Sequence, residues 1–145
     1  MVLYHGGAPG FRPGDVIYPH ETKHVDDCPT CAARADENHR PDQVFATPVR
    51  IYAKFYASKY VGGWLYLVES VGALERSDAD SIETYSAPAM RVVKMSERAV
   101  VMTMSERRHL YRLWERSDRS LGRGIDNAYL REDMTMRFLL GMPQL

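Results

Sequence analysis

The order of its elements predicts an α+β domain. Along the 145 residues the pattern runs strand, loop, strand then helix, strand, loop, two short strands, and finally helices. That order lacks the regular strand–helix–strand alternation of a doubly wound fold. The length predicts one domain, because a chain of this size buries roughly two thirds of its unfolded surface around a single core. The hydrophobic fraction of 45% and charged fraction of 26% are those of an ordinary globular domain.

The first element is "MVLYH", a short apolar strand that the glycines Gly6 and Gly7 end. Read alone, "YHGG" fits either a turn or the floor of a binding site. "APGFRPGDVIYP" is loop, with turn signals at Pro9-Gly10 and Pro13-Gly14. From about 20 to 42 the chain is polar and has no helical or strand period, which predicts a long surface insertion. "QVFAT" is strand-like. "PVRIYAKFYASKY" then has helical spacing, with Pro48 in the first turn and Thr47 as its cap. Val49, Tyr52, Ala53 and Tyr56 share one face of that helix, and Gly62-Gly63 stops it.

"WLYLVESV" is the best strand in the chain: aromatic, aliphatic and free of proline. "GALERSDADSIETYSAP" reads as a polar loop. Met90 to Met95 and Ala99 to Met102 read as two strands joined tightly by "SERA". Ser105 is placed to cap a helix whose apolar stripe is Leu110, Leu113 and Trp114, and which Gly122 and Gly124 break. About 127 to 140 forms a closing helix. The predicted organisation is a core over 1–104, carrying the insertion, and a helical tail over 105–145.

Charge and hydropathy exclude some classes of function. Lys and Arg total 19 and Asp and Glu total 19, so the chain as a whole is not a general nucleic-acid or membrane-surface binder. The charge is uneven, however. Asp15 to Asp42 holds seven acids and three bases, whereas Ser105 to Gly124 holds six arginines and three acids. Such asymmetry points to self-contact or a charged partner. No apolar run approaches the ~20 residues that span a bilayer, and no signal peptide is visible. The expected location is the cytoplasm, with no membrane partner and with Cys28 and Cys31 reduced.

Two stretches carry candidate chemistry. In "VFATPVRIYAKFYA", Phe45 on a strand and Tyr56 eleven residues on provide two walls for a flat ring. The same spacing also fits plain core packing. In "LYLVESVGALERSDAD", a strand runs through Gly72 into a loop holding Glu75, Asp78 and Asp80. A carboxylate just past a strand end stabilises positive charge on a substrate. A solvated acidic loop reads the same way.

Taken together, strand-"YHG", "PGD", strand-aromatic-x-Thr before a helix, and "LYLVESVGALE" running into an acidic loop resemble the rifampin ADP-ribosyltransferase family. More broadly they resemble the diphtheria-toxin-like and poly(ADP-ribose)-polymerase-like ADP-ribosyltransferases with a His-Tyr-acid triad. The resemblance covers about Leu3 to Met104. It implies a split β-sheet core that binds NAD and transfers ADP-ribose with release of nicotinamide. His5 then holds the ribose, and the backbone of Gly6 grips the nicotinamide amide. Phe45 takes the place of the triad tyrosine, with Tyr56 as the second aromatic and Tyr52 beside it. Asp78 falls closest to the triad acid, with Asp80 and Glu75 as alternatives. The acceptor stays open: a small molecule, a protein or a nucleic acid. Phe45 departs from the family pattern by lacking a hydroxyl, which leaves a second reading open. In that reading the chain is a catalytically degenerate module that binds NAD, ADP-ribose or a partner.

The insertion contains His24, Cys28, Cys31 and His39 as H-x3-C-x2-C-x7-H. This ligand set suits zinc, and a zinc ion would staple the loop. A free or redox-reactive cysteine pair and an intermolecular disulfide are the other readings. In the tail, "SERRHLYRLWER" is amphipathic, with arginines opposite Leu110, Leu113 and Trp114. It reads either as a helix packed on the sheet or as a basic surface for an anionic partner, nucleic acid among them.

Overall fold

A computed structural model of the chain describes residues 1–19, 42–78, 80–122, 135 and 137–142. Among them the strands are β1 (Leu3–Gly7), β2 (Val16–Ile17), β3 (Val44–Ala46), β4 (Trp64–Val71), β5 (Glu75–Arg76), β6 (Tyr85–Ala87) and β7 (Ala89–Glu97). The helices are α1 (Arg50–Ser58), between β3 and β4, and α2 (Met104–Ser120), after β7. The architecture is α+β, as the element order predicts. The described strands form two antiparallel sheets, ordered β1-β4-β7-β2 and β3-β6-β5.

β4 is the strand that "WLYLVESV" predicts, with the same bounds. It lies between β1 and β7, so both of its edges are paired, and Leu65, Tyr66 and Val68 are fully buried. Alternation sends those side chains two ways. Tyr66 and Val68 join Leu3, Ile17, Val44, Ala46, Ala87, Met90 and Val92 in a core to which both sheets contribute. Leu65 faces the other way, against Ala53 and Ala57 of α1.

The approach of α1 to the sheet is unusually close. A Cβ added at Gly6 would lie 1.9 Å from the Ala53 carbonyl oxygen, and one at Gly63 would lie 2.0 Å from that of Ala57. Only glycine fits at these two positions, and the helix face turned to them carries Ala53 and Ala57. The opposite flank of α1 packs Tyr52 and Phe55 against Ile82, Met102 and Leu110, with Leu113 and Trp114 alongside. Lys54, 8% exposed, bonds Glu106 at 2.6 Å and Glu97 at 3.4 Å, and Arg50 pairs with Glu97 at 3.0 Å. A nearly buried ammonium requires partners of this kind. Through them α1 is tied to the end of β7 and the start of α2.

Several local expectations are corrected. Gly7 is not a turn residue; it is the last residue of β1 and pairs with Trp64. Thr47 does not cap α1. Its hydroxyl instead accepts from Val49 N–H and donates to the Glu83 carbonyl, tying the helix entry to the loop before β6. The polar stretch after β4 is not all loop, since it contains β5 and β6, where "YSA" is too short to show a period. Ala99 to Met102 forms no strand. β7 ends at Glu97, Ala99 adopts a left-handed φ of 44°, and Val100 N–H donates to the Gly63 carbonyl. The cap of α2 is Thr103, not Ser105. Thr103 and Glu106 form a reciprocal capping box, and Glu106 also takes the Lys54 ammonium. Of the predicted closing helix, residues 137–139 are helical, and most of its span lies outside the described residues. Arg137, almost fully buried, bonds Glu115 at 2.9 Å, while Leu140 and Met142 pack on Tyr111.

The helix–strand contact predicts a sharp difference between two glycines. Gly6→Ala forces backbone against backbone and costs about 3 kcal/mol. Gly10→Ala meets no atom within 4 Å, and its cost is that of a left-handed φ of 101°, about 1 kcal/mol. Urea unfolding of both variants checks this ranking, and equal stabilities would contradict it.

Candidate functional site

The candidate site grows from β1, an edge strand of the first sheet. Among the described residues its outer edge is paired only at Tyr4, whose N–H donates to Thr47 O at 2.8 Å and whose C=O accepts from Thr47 N–H at 2.9 Å. Backbone groups of a strand alternate between its two edges. Gly6, two residues on, therefore turns its N–H and C=O to that same outer edge. The chain has left this edge at Pro48 to begin α1, and no described backbone group bonds Gly6 there. The result is an N–H and C=O pair on an open strand edge, next to a helix.

His5 lies on the other face of β1, opposite Tyr66 in the ladder, with ring centroids 6.5 Å apart. Its Nδ1 is 2.7 Å from the Phe45 carbonyl oxygen. A carbonyl only accepts, so Nδ1 carries the proton, and in the neutral ring Nε2 is the acceptor. The ring leans over Gly7, where an added Cβ would lie 2.9 Å from Nε2. Gly7 thus gives the imidazole its space. Two residues forty positions apart, His5 and Phe45, are brought together as the sequence reading expects, but through the Phe45 backbone. The Phe45 side chain is half-buried on the side of β3 away from Val44 and Ala46.

Sequence reasoning missed the aromatic surroundings of His5. Tyr66 donates to the Ala8 carbonyl at 2.6 Å and accepts from Phe11 N–H at 3.3 Å, fixing the loop after β1. Phe11 and Trp64 flank its ring, at centroid distances of 5.8 and 6.1 Å. The signal was present in "WLYL", but register with β1 is needed to see that Tyr66 faces His5.

A second polar group forms around α1. Tyr52 donates to Asp80 Oδ1 at 2.7 Å, and its oxygen lies 3.1 Å from the Tyr56 hydroxyl. The Tyr52 proton is committed to Asp80, so Tyr56 donates to Tyr52. The run is Tyr56 to Tyr52 to Asp80. Trp114 of α2 closes over it edge-on, 5.6 Å from the Tyr52 ring. The loop acid joined to the tyrosines is Asp80, which is half-buried; Asp78 and Glu75 are exposed. The structure therefore sets the predicted residues in two groups, His5 with Phe45 and Tyr52 with Tyr56 and Asp80. Gly6 stands on the strand edge next to His5, against Ala53 of α1.

His24, Cys28, Cys31 and His39 lie outside the described residues. Among the described residues no three His, Cys, Asp or Glu side chains gather as a metal site. No described helix is long and apolar enough to cross a membrane. The chain matches no protein-family model and no curated protein.

Burial first, and then the neighbouring Tyr56 and Asp80, hold the Tyr52 phenol well above its ordinary value. A raised tyrosine favours the folded, protonated state. Its contribution is complete below the unfolded value of about 10 and is lost as pH rises toward the higher folded value. Tyr52→Phe is accordingly expected to flatten the alkaline loss of stability. Urea unfolding at about pH 8 and about pH 11 measures it, and an unchanged slope in the variant would rule out this role.

Proposed function

We propose that the chain binds NAD at the open edge of β1 and is an ADP-ribosyltransferase of the His-Tyr-acid type, built on that family's split-sheet fold. The observation that carries this reading is the pair of Gly6 backbone groups turned to an unpaired strand edge beside His5. A carboxamide has one acceptor and one donor side. It complements an extended glycine, which offers an N–H and a C=O on one edge. With Nδ1–H held by Phe45 O, His5 Nε2 suits a ribose hydroxyl donor.

In the proposed reaction the bond between nicotinamide and the ribose anomeric carbon breaks. Nicotinamide leaves as a neutral molecule with the bonding pair. The acceptor forms the new bond to that carbon and loses its proton. Positive charge spreads over the ribose ring at the transition state, and a carboxylate stabilises it most where water is excluded. Asp80 takes the role of that acid better than Asp78, because Tyr52 and Tyr56 hold it beside α1. The acceptor is a small molecule, a protein or a nucleic acid.

One observation favours the alternative of an NAD- or ADP-ribose-binding module without transfer. Phe45 offers a stacking face but no hydroxyl, and the Asp80 carboxylate is already engaged by Tyr52. The two readings separate in one experiment. Transfer labels an acceptor from biotin-NAD in a lysate and releases nicotinamide, whereas the module binds NAD and releases none. In either reading His5→Ala loses NAD binding by more than about tenfold, a typical loss for one buried polar contact. Unchanged NAD affinity in that variant would remove His5 from the site.

We further propose that His24, Cys28, Cys31 and His39 hold one zinc ion, on the strength of their types and spacing. Elemental analysis of purified protein is expected to give about one zinc per chain, and less than about 0.2 would count against the staple.

A further inference from the structure

The exposed face of α2 is chemically uniform. Beyond Met104 at its first position, the exposed residues of this helix are Ser105, Arg108, His109, Arg112, Arg116, Arg119 and Ser120. At 3.6 residues per turn they fall within an arc of about 120°, and the four arginines within about 80°. No acid lies in that arc. The acids of α2 sit on its flanks: Glu106 is engaged by Lys54 and the helix cap, and Glu115 by the buried Arg137 and by Arg119, the one stripe arginine with an ion pair among the described residues. Arg108 spends one N–H on the Leu140 carbonyl and stays charged. Arg112 and Arg116 make no ion pair among the described residues. In a chain with no net charge, the exposed face of α2 thus presents four arginines in one stripe about 16 Å long, three of them without an ion pair among the described residues.

We infer that this stripe docks on the phosphate backbone of double-stranded DNA, without sequence preference. Arginine is the side chain suited to phosphate, through its planar fork of donors. At 3.4 Å per phosphate along one strand, the stripe faces about five phosphates. A duplex is favoured over single strands, which are held by stacking on exposed aromatics. Here Tyr111 is buried, and Trp114 turns inward against Tyr52 and Phe55. B-form DNA is favoured over duplex RNA, because its major groove is about 12 Å wide and admits a helix, whereas the A-form groove does not. The arc holds no Asn or Gln to read adenine, and a stripe of arginines spaced along one strand's phosphates matches the backbone. An anionic membrane is disfavoured because the apolar side of α2 is spent on the protein core. This inference is independent of the NAD reading.

The test is fluorescence anisotropy of a labelled mixed-sequence DNA duplex of about 20 base pairs, titrated with the full chain at about 50 mM and about 200 mM salt. Binding is expected at the lower salt, with affinity falling about 50-fold at the higher, as three or so phosphate contacts require. The double variant R112E/R116E is expected to lose at least about tenfold, and R112K/R116K to keep most of the affinity. Both positions are exposed, and circular dichroism melting confirms that the variants fold. No binding at the lower salt overturns the inference, as does full binding by R112E/R116E. Tighter binding to a duplex RNA, to a single strand or to phosphatidylserine vesicles than to the DNA duplex also overturns it.

Discussion

The contact on which the rest of the structure depends is the meeting of helix backbone with strand backbone at Gly6. Where α1 passes β1, no atom of a side chain separates the two chains, and the carbonyl of Ala53 occupies the volume that a Cβ at Gly6 would take. This seats α1 deep against the sheet. It sets the height at which Tyr52 and Phe55 meet α2 and the distance over which Lys54 reaches Glu97 and Glu106. A larger residue at Gly6, Gly63, Ala53 or Ala57 would lift the helix and disturb all of these together. Packed interiors yield to added volume by moving whole elements, since there is no free space to absorb it.

The same contact divides β1 into unlike halves. Tyr4 is held on its outer edge by Thr47, while Gly6 is not, because the chain must leave that edge to start the helix that Gly6 receives. An open strand edge is ordinarily a hazard for pairing with other chains. Here the opening is about one residue long and a helix stands next to it, so the edge offers no length for a strand to add. His5, on the opposite face, is fixed from across the sheet boundary by the Phe45 carbonyl. The two sheets meet through this bond and the Tyr4–Thr47 bridge, and the candidate site lies where they meet.

The sequence made the long elements legible and left the short ones hidden. β4 and α2 carry patterns long enough to read, β4 as an apolar run buried on both faces and α2 as an apolar stripe over several turns. β5, β6 and the end of β1 are set by partners distant in the chain: Glu75 and Arg76 become strand only because Ser86 and Tyr85 lie beside them. Gly7 looks like a turn until the imbalance between its missing side chain and the leaning His5 ring is seen. In the candidate site, His5, Gly6 and Tyr52 were legible as residue types in a suggestive order. Which loop acid reaches the tyrosines was not, because a loop with acids at 75, 78 and 80 has no period to fix its register. Tertiary packing chose Asp80.

That choice bears on the phenylalanine at position 45. In the NAD reading, a tyrosine hydroxyl is expected near the ligand ring, and Phe45 has none. The chain carries two other hydroxyls in a directed run, Tyr56 to Tyr52 to Asp80. Tyr52 is buried and its proton is committed, so it cannot itself turn to a ligand. Tyr56 is half-buried at the start of the run, and its proton is given to Tyr52. A ligand donor such as a ribose hydroxyl or an amide N–H would leave this run intact. A carbonyl or phosphate oxygen would have to draw the Tyr56 proton away from Tyr52, at the cost of that hydrogen bond. The polarity of the run, set by one carboxylate, thus limits what the helix side of the site can recognise.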